Sequence, residues 1–149
     1  MLAKQKLIDL LNNNLAHLTN FCKEIHEESI VFLYQYVETF GFKKTKLNNK
    51  KAIYYSVANS LCNKISKALI LYQNTDSIHK VLNENDVFDC KLINKNFQIL
   101  INGLSICLFL KDKIKRFEQD LLIKELLGNI QLLETKINQL KKAKGEVKL

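Results

Sequence analysis

A mainly α chain, folded as an antiparallel up-down four-helix bundle, is predicted by three features of this sequence. It holds no proline and only four glycines in 149 residues, so little interrupts a helix or shapes the turns of an all-β fold. Apolar residues recur in steps of three and four along four long stretches, the period of a helix with one buried face. Short polar joints separate the stretches, which favours antiparallel neighbours. The length and the 47% hydrophobic content suit one domain over 1–149 with a single core.

The first stretch, about 3 to 40, places Leu7, Leu11, Leu15, Leu18, Cys22, Ile25, Phe32, Tyr36 and Phe40 at helical spacing. Asn12, Asn13 and Asn14 are weak helix formers and are expected to divide it. Gly41 is expected to stop it as the C′ residue. The second, about 49 to 73, sets Tyr54, Val57, Leu61, Ile65, Ala68 and Tyr72 against a polar face of Ser56, Asn59, Ser60, Asn63, Lys64 and Lys67. Asn74 to Ser77 offers capping and turn chemistry, followed by a short helical turn at 78–82 and a loop at 83–86.

The third stretch has two readings. Asn102-Gly103 is a two-residue hairpin signal, so a β-hairpin at 97–110 packed on helices is the minority alternative. Against it, Lys91, Lys95, Gln98, Asn102 and Ser105 form a polar stripe at helical period opposite Ile93, Phe97, Leu100, Leu104 and Leu108. The fourth, about 113 to 143, carries Ile123, Leu126, Ile130, Leu133, Ile137 and Leu140 in a regular 3-4 seam. Upstream, Phe117, Leu121, Leu122 and Leu127 broaden that face and favour packing within the chain. Residues 144–149 read as a frayed basic tail.

Charge is distributed unevenly. The net charge is +8, with 22 lysines and Arg116 as the single arginine, and no acid lies between Glu38 and Asp76. Lysine and asparagine both use AT-rich codons, but so does glutamate, so codon bias does not account for the acid-free window. Residues 41 to 51, GFKKTKLNNKK, hold Lys43, Lys44, Lys46, Lys50 and Lys51. With Asn48 or Asn49 as the expected N-cap, Lys50 and Lys51 fall in a first helical turn, where cations oppose the helix dipole and an anion would be welcome. Lys64 and Lys67 extend the basic face. In an up-down bundle the junction bearing Lys111, Lys113, Lys115 and Arg116 lies at the same end, so two basic clusters converge on one pole.

Chemistry signatures are sparse. No Gly-rich phosphate loop, nucleophile elbow or HExxH is present, and no enzyme activity is expected. The arginine-then-histidine motif of the HEPN ribonuclease bundles is absent, since no histidine follows Arg116. Cys22, Cys62, Cys90 and Cys107 lack any CxxC pairing, and Cys22 with His26 makes at most two ligands, so neither a metal site nor a cofactor is expected. Their apolar settings suggest buried thiols in a reducing compartment, hence a cytoplasmic protein. The apolar run at 99–110 is too short to span a membrane.

The function expected from these features is a non-enzymatic basic binding module. Its pole would contact the phosphate backbone of nucleic acid with little sequence specificity, one arginine being poor equipment for reading base edges, and it could serve as an accessory subunit of a larger assembly. The alternative is a protein-protein interaction adaptor or inhibitor, binding a partner or forming a homo-oligomer through Leu133, Ile137 and Leu140.

Overall fold

The structure, a computed structural model, describes residues 2–82 and 90–148. Among these residues the chain forms helices α1 (Leu2–Glu38), α2 (Leu47–Val81), α3 (Cys90–Ile114) and α4 (Leu121–Lys148), with a 3-10 turn at Lys115–Phe117 and no strand. The fold is a helical bundle. α1, α2 and α3 pack mutually, and α4 lies against α2 and α3.

The core is built from the positions that recur at helical period. Leu18, Cys22, Ile25 and Phe32 of α1 meet Leu61, Ile65 and Tyr72 of α2, with Phe97, Leu100 and Cys107 of α3 and Ile123 to Ile137 of α4 closing the cluster. Asn96 is the polar tie inside it: its Nδ2 donates to Thr19 Oγ1 at 3.0 Å and its carbonyl accepts from Cys22 Sγ at 3.6 Å. Such cross-helix bonds satisfy a group whose burial would otherwise cost about 1–3 kcal/mol.

The 97–110 region is helical throughout, and the hairpin alternative finds no support. All five residues of the polar stripe are exposed, whereas Ile93, Phe97, Leu100 and Leu104 are buried. Gly103 is a contact point, not a turn: a Cβ built there would come within 2.9 Å of both Ile25 Cγ2 and Ile65 Cδ1. α1 and α2 therefore approach the backbone of α3 through that gap.

Several boundaries differ from expectation. α1 runs unbroken through Asn12–Asn14, because Leu11 and Leu18, both fully buried, anchor the helix on either side and outweigh the small propensity loss. α2 continues past Asn74–Ser77 to Val81; Thr75 is buried and returns its hydroxyl to Leu71 O at 2.7 Å, and Asp76 pairs with Lys80 at 3.1 Å. Polar residues cap only where the backbone leaves the helix, and no glycine or proline forces it to leave here. The loop expected at 83–86 lies outside the described residues. α4 reaches Lys148, and Lys144 is packed where fraying was expected: its Nζ bonds Asn94 Oδ1 at 2.8 Å and sits over the Phe97 and Tyr72 rings at 4.6 and 5.3 Å.

α3 is the most apolar of the helices. The stretch Lys91–Phe117 contains an 18-residue window with a mean hydropathy of 1.2, long and apolar enough by length and composition to cross a membrane. In the bundle 44% of that window is buried, as in the core helix of a protein that does not span one.

Candidate nucleic-acid interface

The joint between α1 and α2 ends α1 by a Schellman motif. Gly41 N–H donates to Tyr36 O at 2.8 Å and Phe40 N–H donates to Val37 O at 3.2 Å, which makes Phe40 the C′ residue and Gly41 the residue after it. Sequence reasoning placed glycine one position too early. Phe40, Gly41 and Phe42 all take left-handed backbone angles, with φ of 52°, 71° and 60°. For a residue with a Cβ that conformation costs about 1–2 kcal/mol.

The conformation sends neighbouring side chains opposite ways. Phe42 turns into the core between the Tyr36 and Tyr54 rings, with centroids 5.9 and 6.1 Å away. Tyr54 Oη donates to Gly41 O at 3.2 Å and pins the loop. Gly41 is needed twice over, by its positive φ and because a Cβ would lie 3.0 Å from Tyr36 Oη. Phe40, expected in the apolar face of the first helix, instead stands 79% exposed beyond the last helical residue.

Lys43, Lys44 and Lys46 follow it, all exposed. α2 starts at Leu47 with Lys46 as N-cap, extended and making no side-chain capping bond. Asn48 and Asn49 therefore sit inside the first turn, not at the cap. That turn holds no acid, so the partial positive charge of the helix start adds to the lysines instead of being offset by a carboxylate.

The second basic cluster meets the first. Lys51 Nζ forms an ion pair with Asp120 Oδ2 at 2.9 Å and lies 5.8 Å from the centroid of the Phe117 ring, over which Arg116 also stacks at 4.8 Å. Arg116 is near enough to Tyr54 to oppose, in part, the rise in the phenol's pKa caused first by burial and then by Tyr36. Lys115 and Arg116 are exposed at this pole. Lys111 and Lys113 sit in the last turn of α3, one bonded to Gln131 Oε1 at 2.8 Å and the other over Phe109 at 5.3 Å. Glu38, Asp112, Glu118 and Glu125 are exposed acids nearby in sequence.

Three expected positions are occupied or remote. Lys51 is engaged by Asp120, whose carboxyl is held below its ordinary range by that hydrogen bond first and by Leu122 N–H next. Lys64 bonds Glu28 Oε2 at 2.8 Å, and Ser60 donates to the same oxygen at 3.1 Å, so that part of the polar face packs on α1. Lys67 is exposed but lies sixteen residues beyond Lys51, about 24 Å along the helix.

Other residues at this end went unmarked in the sequence. Asp120 accepts Leu122 N–H at 3.0 Å and begins α4; an aspartate just before an apolar run is the signal that would have found it. Lys124 is an exposed cation in the first turns of the same helix. Leu121 and Leu122, expected to broaden the packed face, are 80% and 60% exposed, because the buried seam begins only at Ile123. Between the starts of α2 and α4 lies a cleft of about 160 Å³ lined by Lys51, Tyr55, Asp120 and Ile123 among others.

The seam expected to bind a partner is committed elsewhere. Leu133 and Ile137 are buried in the intramolecular core and Leu140 packs against it, since α4 turns its 3-4 face toward α2 and α3. Cys22 points into the core while His26 is exposed, and no three His, Cys, Asp or Glu side chains gather as a metal set among the described residues.

Compared with protein-family models, with curated proteins and with solved structures, the chain matches none.

Proposed function

We propose that this protein is a non-enzymatic binding module whose basic pole holds the phosphate backbone of single-stranded nucleic acid, with little sequence preference. The helices are taken to run in antiparallel up-down order. That order is supported by Tyr72, late in α2, against Phe97, early in α3, and by Asn94, early in α3, against Lys144, late in α4. It gathers the C-termini of α1 and α3 and the N-termini of α2 and α4 at one end.

The observation that carries the reading is Phe40. A large aromatic side chain stands 79% exposed in a left-handed position where glycine would be free of strain, three residues before Lys43 and close in sequence to Lys44 and Lys46. Exposed rings beside a cationic groove are how proteins stack unpaired bases while lysines follow the backbone. Lys115, Arg116 and Lys124 extend the same electrostatic surface. The buried free thiols Cys22, Cys62 and Cys107 agree with a cytoplasmic setting.

Fluorescence anisotropy with a labelled single-stranded oligonucleotide tests it. Six exposed cations neutralising phosphates give a slope of log K against log salt of about −4, at roughly −0.7 per contact. Phe40→Gly relieves the backbone strain yet is expected to weaken binding about tenfold, while the combined Lys43, Lys44 and Lys46→Gln variant is expected to flatten the slope by roughly 2. Absence of binding at low salt, or binding indifferent to salt, refutes the proposal.

A further inference from the structure

The outward side of the second half of α1 carries Ile30, Leu33, Tyr34 and Val37, spaced at i, i+3, i+4 and i+7, with Val31 beside them. All five are exposed, Tyr34 at 66% and Val37 at 72%, although Phe32 and Tyr36 of the same helix already supply its contacts to the bundle. Taking ~200 Å² for a fully exposed large apolar side chain, these fractions leave roughly 600 Å² of continuous apolar surface. That is the upper end of what a monomer ordinarily shows, about 300–600 Å². It would also fill most of the ~800 Å² that each partner contributes to a standard interface.

We propose that this face is the contact between two copies of the chain, paired antiparallel about a two-fold axis at Leu33–Tyr34. Such an axis sets Ile30 of one copy against Val37 of the second and doubles the stripe into one dry seam. The seam buries no charge: none lies within 30–37, while Lys23, Glu24 and Glu27 lie upstream of the stripe and Lys43 and Lys44 beyond the end of the helix. Residues 23–40 carry Lys23 against Glu24, Glu27, Glu28 and Glu38. That acidic balance disfavours an anionic membrane or a nucleic acid as the occupant of this face. The seam ends before Lys43, so Lys43, Lys44, Lys46, Lys115 and Arg116 stay outside it.

Light scattering coupled to size-exclusion chromatography reads the outcome directly. The wild-type chain is expected at twice 17.3 kDa and Val37→Asp at 17.3 kDa. Leu132→Asp, at an equally exposed apolar position on α4, is expected to leave the dimer whole. As an independent check, Leu33→Cys treated with oxidised glutathione should give a disulfide-linked pair on a non-reducing gel. A wild-type monomer, a dimer that survives Val37→Asp, or one broken by Leu132→Asp overturns the proposal. So does a monomer that sediments with phosphatidylserine vesicles, in favour of a membrane surface.

Discussion

The close approach at Gly103 can be tested with two chemically identical substitutions, Gly103→Ala and Gly128→Ala. Both glycines lie within helices, so alanine gains about 1 kcal/mol of helix propensity at each. They differ in surroundings: nothing lies within 4 Å of a Cβ at Gly128, whereas one at Gly103 meets Ile25 Cγ2 and Ile65 Cδ1 at 2.9 Å. Carbon atoms pack at roughly 3.5–4.0 Å, so the deficit is more than half an ångström on two sides. Ile25 and Ile65 are fully buried; a β-branched residue in a helix has essentially one χ1 rotamer, which fixes Ile25 Cγ2, and Ile65 Cδ1 can move only by a χ2 change within the packed core. The strain must therefore pass to the helix backbones, at about 1–3 kcal/mol. Gly128→Ala is expected to stabilise by about 1 kcal/mol and Gly103→Ala to change stability by between about 0 and −2. The gap between them is the packing term alone. Urea denaturation followed by circular dichroism measures both, and thermal midpoints should separate by about 2–4 °C for each kcal/mol of difference. Equal stabilisation by the two alanines would refute the claim that α1 and α2 close on α3 at this point.

Two pH-dependent properties follow from the titratable groups. Burial pushes the Cys22 thiol up to about 12 from an ordinary 9.0. The folded state thus favours the protonated thiol; its contribution is complete below pH 9 and is lost as pH rises from there toward 12, so urea midpoints should fall across that alkaline window. The same burial should leave Cys22, Cys62 and Cys107 unreactive toward a thiol reagent at neutral pH until the chain is unfolded, and fast labelling of Cys107 in the native protein would contradict it. Asp120 titrates in the opposite sense: its lowered carboxyl stabilises the fold above the ordinary aspartate range and loses that effect as pH falls through its folded value. Asp120→Asn should therefore remove part of the acid sensitivity without altering the alkaline limb.

The helical faces were legible because burial repeats with the helix period. Lys91, Lys95, Gln98, Asn102 and Ser105 reported the wet side of α3 even though Asn102-Gly103 argued locally for a turn. A dipeptide states what the backbone can do; a stripe over fifteen residues states what the tertiary structure requires, and the second prevailed. Helix ends were less legible, since they depend on where backbone groups find partners. Asn74 to Ser77 has capping chemistry but stays helical because Thr75 is wanted in the core. The meeting of the loop after α1 with the junction after α3 could be read from connectivity. The neutralisation of Lys51 by Asp120, 69 residues away, could not, nor could the engagement of Lys64 by Glu28, because charge counts carry no distances. The exposure of Ile30, Leu33, Tyr34 and Val37 stayed hidden for a related reason: they share a helix whose other side is also apolar, and composition does not say which side faces inward.

The left-handed run Phe40-Gly41-Phe42 bears on the thermodynamics of any encounter at that end of the molecule. Fixing the backbone of one residue costs about 1–2 kcal/mol, and a floppy connection of this length would lose that freedom residue by residue on binding. Here the Schellman bonds, the Tyr54 hydroxyl on Gly41 O and the wedged Phe42 ring have already removed it during folding. A ligand reaching this loop therefore meets a backbone already ordered at these three residues, and what it must still order is the exposed side chains.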